Sequence, residues 1–458
     1  MSFMSLVEPR ELLHEHDASQ PPPCPLTVKE SGLTEGQISD LLLKTLYRQG
    51  ARTGEEMARF LCLAYPVLDD LLLTLQQRHF VEVLATRGHG RSGYTFGLTQ
   101  EGQSRAHMAM DASRYVGPAP VPVGLFGTWV RLQSIRNMRV RRELLRAAFA
   151  DLVLPEEVFD ALGPAVNSAG SIFLHGAPGN GKTAIAERLG ALASETIYLP
   201  KAVIADGHVL ILEDPVYHRP AHTGGSESDS LQLVRDETSW DRRFAHVQRP
   251  VVFAGGELTM EQLDLQYDEY AHIYQAPFQM KAAGGVLVID DFGRQRMSPA
   301  ELLNRWIVPL EKKFDTLSLH TGTKFPVPFD CLLVFATNLN PRDLVDEAFL
   351  RRIQFKVEVR SPTRDAFTQI FRMQCSDRDV PFDLHAIELL FRDYYDRMGF
   401  PPRGCHPRDL LDHVQSLAEY EGKQASLTDD LLHRAARSYF LVMEEEYVAG
   451  IPSLTKQD

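Results

Sequence analysis

The sequence has few cysteines, no long apolar run and no excess of positive charge, and each shortage excludes a class of protein. Its five cysteines, Cys24, Cys62, Cys331, Cys375 and Cys405, are scattered, odd in number and never spaced as metal-ligand pairs. They indicate reduced thiols in a reducing compartment rather than a disulfide scaffold. The first residues, MSFMSLVEPRELLHEHD, lack the basic start, apolar stretch and small-residue cleavage site of a secretory leader. No apolar run approaches the roughly 18 residues of a membrane span, so a cytoplasmic protein with no membrane span is expected. With 48 Lys and Arg against 61 Asp and Glu, the formal charge is −13. Nucleic acid is possible as a partner but not favoured, because it would need a local basic patch.

What is present is ordinary globular composition, 44% hydrophobic and 24% charged over 458 residues. That length allows several domains. Residues 1–32, with Pro21-Pro22-Pro23-Cys24-Pro25, read as a disordered leader, because prolines remove backbone donors. From 33 to 115 the pattern predicts helices around 35–49, 53–62 and 65–78, then a hairpin formed by Val81-Glu82-Val83-Leu84 and Tyr94-Thr95-Phe96-Gly97-Leu98. This order resembles a winged-helix α+β domain. The third helix would present Asp69, Asp70, Gln76, Gln77 and Arg78, and two carboxylates disfavour a DNA backbone, so docking of a protein is preferred here.

Residues 116–130, with Gly117-Pro118-Ala119-Pro120-Val121-Pro122-Val123-Gly124, read as a proline-rich linker. Beyond it Arg131, Arg136, Arg139, Arg141, Arg142 and Arg146 are dense. They could touch phosphates, but a solvated or salt-bridged helical face is preferred.

Ser171-Ile172-Phe173-Leu174-His175 reads as a buried strand, and a helix is predicted from Gly181 to about Ala193. Between them Gly176-Ala177-Pro178-Gly179-Asn180-Gly181-Lys182-Thr183 spells G-x-x-x-x-G-K-T in the strand, loop, helix context of a phosphate-binding loop. Tight turns at the glycines aim backbone N–H groups at phosphate oxygens, and the helix start adds positive potential. Residues Gly176 to Ala184 are the expected ATP-binding segment, with Lys182 on the β- and γ-phosphates and the Thr183 hydroxyl on Mg²⁺.

About a hundred residues later, Gly285-Val286-Leu287-Val288-Ile289 ends in Asp290-Asp291, as a buried parallel strand ends at a ligand site. Asp290 is expected to hold hydrated Mg²⁺ and Asp291 to polarise the attacking water. The alternative is that the pair only caps the next segment. Asp291-Phe292-Gly293 also spells D-F-G, but no H-R-D loop or V-A-I-K strand accompanies it, which excludes a protein kinase. A third apolar strand, Cys331 to Thr337, ends at Asn338, positioned to bond the water or γ-phosphate. Asp346-Glu347-Ala348-Phe349-Leu350-Arg351-Arg352-Ile353 follows, and His406-Pro407-Arg408 places Arg408 at a helix start.

In this order the motifs resemble the AAA+ ATPase family, over about residues 131 to 447. The resemblance implies an α/β P-loop core with a parallel sheet at 131–360 and an α-helical lid at 361–447, followed by a tail at 448–458. It implies Walker A at Gly176 to Thr183, Walker B at Asp290 and Asp291, sensor 1 at Asn338, an arginine finger at Arg351 or Arg352, and sensor 2 at Arg408. It also implies a homo-oligomeric ring, often a hexamer, whose finger completes a neighbour's site. Many members carry glutamate where this chain has Asp291, so slow or partner-stimulated hydrolysis is plausible.

Ala276 to Gly285 resembles the approach to Walker B in bacterial enhancer-binding activators, but the G-A-F-T-G-A loop is absent from Tyr267 to Tyr274. Tyr270 or Tyr274 could line a pore or pack in a core. Leu317 to Pro328 reads as a hairpin, and Asp214, His218 and His222 lie in a polar segment that reads as a surface loop rather than a metal site. The expected function is an ATP-driven, Mg²⁺-dependent oligomeric remodeller of a protein or nucleoprotein partner. The alternatives are a nucleotide switch or scaffold with little turnover, and a DNA-binding regulator acting through the winged helix.

Overall fold

The computed structural model describes residues 20–86, 90–192, 196–221, 240–344 and 350–440. Contacts divide the chain into two units, Met1–Met138 with Ala193–Val288 and Gln295–Leu333, and Arg139–Leu192 with Ile289–Arg294 and Val334–Asp458. The expected positions Arg87 to His89, His222, Asp346 to Phe349, the end of the lid and the tail lie outside the described residues.

Of the expected leader, residues 1–19 lie outside the described residues, and residues 20–32, in the first unit, are held in place. A short helix, Val28–Ser31, is capped by Thr27. The Asp241 N–H donates to the Pro22 carbonyl at 2.8 Å. The fully buried Arg243 pairs with Asp241 and donates to the Ser31 carbonyl at 2.7 Å. Prolines without donors of their own still accept, and that anchors the arm.

Three helices follow, Glu35–Gln49, Gly54–Leu61 and Tyr65–Gln77. The first two start with capping boxes, Thr34 with Gln37 and Thr53 with Glu56, which satisfy orphan N–H donors reciprocally. Strands Val81–Thr86 and Tyr94–Leu98 pair antiparallel, and Arg52–Thr53 pairs with the second. Leu41, Leu42 and Leu46 pack with Leu68, Leu72, Val81 and Phe96 in one core, as apolar residues at helical spacing must. Asp69 does not stand free on the third helix: it pairs with Arg91 at 2.5 Å and accepts from Tyr65 Oη at 2.8 Å.

Residues 116–130, expected to be a linker, contain regular structure. Val121–Pro122 is an edge strand parallel to Ala202–Ala205, Val121 is fully buried, and helix Val123–Leu132 starts directly afterwards. An edge position tolerates proline because one side of the strand needs no ladder donor. The sheet continues through His208–Ile211 and Ile273–Gln275 to Gln266–Asp268. Phe314–Ser318 and Lys324–Pro328 form the expected hairpin. Tyr274, 1% exposed, is a core residue whose hydroxyl bonds His320, whereas Tyr270 is 75% exposed, with the Arg114 guanidinium 3.8 Å above its ring. The pore reading therefore fails for Tyr274.

A five-stranded sheet has the order Val251–Ala254, Val286–Ile289, Leu332–Thr337, Ile172–His175 and Phe355–Glu358. The last three run parallel, with Val334 and Phe355 both level with Ile172. Val286–Ile289 and Leu332–Thr337 are buried at every position, which explains their unbroken apolar runs.

In the second unit, Arg142 bonds Glu156 and Asp160, and Arg146 bonds Glu156, so these two arginines are salt-bridged. The C-terminal region is helical, with Arg364–Asp377, Leu384–Leu390, His406–Tyr420 and Asp429–Phe440 around Phe367, Phe371, Tyr394, Leu410 and Leu432. Among the described residues no helix is long and apolar enough to cross a membrane.

Candidate functional site

Strand Ile172–His175 delivers the glycine-rich loop and helix Lys182–Leu192 leaves it. Gly179 and Gly181 have φ of 79° and 88°, left-handed values that side-chain-bearing residues adopt only under strain. A Cβ on Gly179 would also stand 2.5 Å from Cys405 Sγ. Lys182 is 6% exposed and its Nζ donates to the Gly176 and Ala177 carbonyls, each at 2.9 Å, so the loop is wrapped around its own ammonium. Burial lowers the Lys182 pKa, Asp290 and Asp291 oppose this, and Arg403 adds to it.

The strand Val286–Ile289 places its two acids at the same end of the sheet. Thr183 Oγ1 donates to Asp290 Oδ2 at 2.8 Å, and Asp290 Oδ1 accepts from the Asp291 N–H at 2.9 Å. Asp291 sits at φ 49°, in the left-handed region, and its Oδ1 accepts from Asn338 Nδ2 at 3.2 Å. Asn338 is held there by Leu332–Thr337, whose last residue donates from Oγ1 to the Phe292 carbonyl at 2.7 Å. The Phe292 N–H in turn donates to the Ala336 carbonyl at 2.8 Å.

These residues line a cavity of about 450 Å³, within the roughly 300–1,000 Å³ of ligand sites. One wall is Asp151 to Leu154, another is Ile370, Met373 and Gln374 of helix Arg364–Asp377, and Arg408 projects into it from helix His406–Tyr420. Asp151 is held by Arg188, which lowers its pKa. Arg408 is paired with Asp409 at 2.8 Å, and Asp409 also accepts from Tyr439 Oη at 2.9 Å.

The predicted site residues Gly179 to Ala184, Asp290, Asp291, Asn338 and Arg408 thus meet at one cavity, with Pro178 at its edge. Gly176 and Ala177 contribute the carbonyls on Lys182. Arg351 and Arg352 do not line it. Arg351 is exposed, and among the described residues its side chain has no hydrogen-bond or ion-pair partner; Arg352 is half-buried and its carbonyl accepts from Ser171 Oγ at 3.4 Å. Asp214 pairs with Lys281, and both His218 ring nitrogens bond backbone groups, Asp214 N–H and the Lys281 carbonyl. Among the described residues no group of three metal-ligating side chains gathers.

Sequence reasoning missed the walls from Asp151 to Leu154 and from Ile370 to Gln374, because neither carries a local signature. Arg403 does not line the cavity, but its stem lies beside Gly179, with Cδ 3.7 Å from where a Cβ there would stand.

Residues 363–438 match a protein family described as a domain of unknown function, DUF8689. No curated protein matches the sequence. Solved structures with a related arrangement include NtrX from Brucella abortus, at 13% identity and a TM-score of 0.39 over 62% of this chain. The match spans 60% of the NtrX chain. Another is the Holliday junction branch migration motor RuvB of Thermotoga maritima, at 15% identity and a TM-score of 0.36, covering 65% of this chain and 72% of that one.

Proposed function

We propose that this chain is an ATPase of the AAA+ type that works as a ring-shaped oligomer on a protein or nucleoprotein partner. The observation that carries the reading is the 2.8 Å contact of Thr183 Oγ1 with Asp290 Oδ2, two oxygens 107 residues apart in sequence at the mouth of a glycine-rich loop. A hydroxyl and a carboxylate facing each other there are hard oxygen donors, the set that magnesium accepts beside phosphate.

The remaining residues fit a nucleoside triphosphate. Left-handed Gly179 and Gly181 would let backbone N–H groups of the loop approach phosphates, and Lys182 would exchange its two carbonyl partners for β- and γ-oxygens. When bound between Thr183 and Asp290, Mg²⁺ would neutralise charge on the phosphates. Asp291 would accept the proton of the attacking water, with Asn338 fixing the carboxylate and the water together. Arg408 would contact phosphate from the helical lid, and Arg351, exposed and uncommitted, is the better finger for a neighbouring subunit than Arg352. The apolar side chains Leu152, Val153, Ile370 and Met373 offer a dry wall for a base.

Multiple-turnover phosphate release by the full chain, beside Lys182→Ala and Asp290→Asn, tests this. Mg²⁺-dependent turnover lost in both variants supports it; ATP binding without turnover in the intact protein would leave the nucleotide switch or scaffold, which the short Asp291 favours. The DNA-regulator reading gains one observation, because Arg91 neutralises Asp69 on the third helix of the winged-helix-like domain. Salt-dependent duplex binding would support it, and no binding at low salt would remove it.

A further inference from the structure

Asn180 occupies a variable position of the phosphate loop, yet its side chain is buried, 7% exposed, and fully used. Its Nδ2 donates to the Val359 carbonyl at 3.3 Å and to Ser361 Oγ at 3.4 Å, just past strand Phe355–Glu358. Its Oδ1 accepts from the Gly404 N–H at 3.4 Å, in the segment that leads into helix His406–Tyr420. The adjacent Cys405 N–H donates to the Gly179 carbonyl at 2.8 Å. One carboxamide thus joins three segments: the loop, the exit of the sheet and the root of the lid.

The root of the lid is itself tied by hydrogen bonds. His406 Nδ1 accepts from the Arg403 N–H at 3.3 Å and bonds Tyr395 Oη at 3.0 Å, and the His406 and Tyr395 rings stack at 5.7 Å. A displacement at Gly404 is therefore carried to both flanking arginines. Arg403 has its stem against Gly179 and, among the described residues, no hydrogen-bond or ion-pair partner for its guanidinium. Arg408 lines the cavity.

We propose that Asn180 is a positioning residue, a clasp that holds the Arg403 to Arg408 segment on the phosphate loop and so delivers both arginines to the nucleotide's phosphates. This rests on the nucleotide reading of the site. The clasp makes the lid respond to the loop: a phosphate that draws the Gly179–Asn180 peptide inward moves the acceptor for Cys405 and the acceptor for Gly404 together.

The test uses the full-length chain. Without nucleotide, the Gly404 and Cys405 amides exchange at least fivefold faster with deuterium in Asn180→Ala than in the intact protein, as the loss of a modest hydrogen bond requires. In turnover assays kcat falls about tenfold while KM for ATP changes less than about threefold, because the phosphate-facing backbone N–H groups remain. Asn180→Asp, which keeps the acceptor for Gly404 and loses the donor to Val359, falls between the two. In an Arg403→Ala/Arg408→Ala background, Asn180→Ala adds less than a twofold further loss. Unchanged exchange at Gly404, or an Asn180→Ala loss that multiplies fully in the arginine-free background, overturns the clasp. An intact protein that does not bind ATP overturns the nucleotide reading, and the exchange measurement still decides the clasp.

Discussion

Asn338 Nδ2 donates to Asp291 Oδ1 at 3.2 Å, joining two residues 47 positions apart that follow the ends of two strands. The bond engages one oxygen of the carboxylate, and both residues line the cavity. Asp291 has a left-handed backbone, φ 49°.

Asp291→Asn is expected to retain ATP binding and to lower turnover by roughly 10²–10⁴-fold, the usual contribution of a general base. Phosphate release measured beside equilibrium binding separates the two effects. Turnover within a factor of three of the intact chain would place the water's base elsewhere.

Lys182→Ala removes a buried ammonium that bonds two carbonyls of its own loop. Loss of charge-assisted contacts to phosphate weakens ATP binding by about 10–100-fold. Calorimetric titration with ATP and with adenosine checks this, because only the phosphate-bearing ligand should lose affinity.

Arg351→Ala is expected to bind ATP normally and to hydrolyse it at least 10²-fold more slowly, as loss of a finger supplied from a neighbouring subunit does. Arg352→Ala should show its effect in melting temperature, since its side chain is half-buried just before strand Phe355–Glu358. Mixing Arg351→Ala with Lys182→Ala should recover measurable turnover, because each supplies what the other lacks. Absence of any recovery in the mixture would count against a site shared between subunits.

His406 gives the site region a pH dependence. Burial pushes its pKa down to about 4, with the Arg403 charge adding to the shift. The unfolded chain, titrating near 6.5, binds this proton more readily, so stability rises with pH across that window. The contribution is complete above about pH 6.5 and is lost as pH falls toward 4, at most about 3 kcal/mol. His406→Asn, which keeps an acceptor but does not titrate, should flatten the melting temperature between pH 6.5 and 4. An equal slope in both proteins would assign the dependence to other groups.

The phosphate loop was legible because its chemistry is local. Gly176 to Thr183 needs left-handed glycines, a lysine and a hydroxyl within eight consecutive positions, and the flanking strand and helix follow from apolar runs. The strands before Asp290 and Asn338 were legible for the same reason, since burial on both faces leaves no polar position to hide them. The three N-terminal helices and the hairpin were also readable, from helical spacing and a glycine-rich turn.

Other features were decided by partners distant in the chain. The prolines of 116–130 look like a linker until Ala202–Ala205 supplies the strand that Val121 and Pro122 lie beside. Tyr270 and Tyr274 are four residues apart and chemically identical, yet only the hydroxyl of Tyr274 meets His320 and enters a core. Asn180 could be read from the sequence only as a loop residue, because its partners Val359, Ser361 and Gly404 lie up to 224 positions away. By itself the sequence determined the glycine-rich loop and the apolar strands that end at Asp290 and Asn338, because each is encoded within a few consecutive residues. Tertiary structure decided that Arg408 lines the cavity while Arg351 and Arg352 do not, because where a guanidinium stands is set by where its segment is anchored.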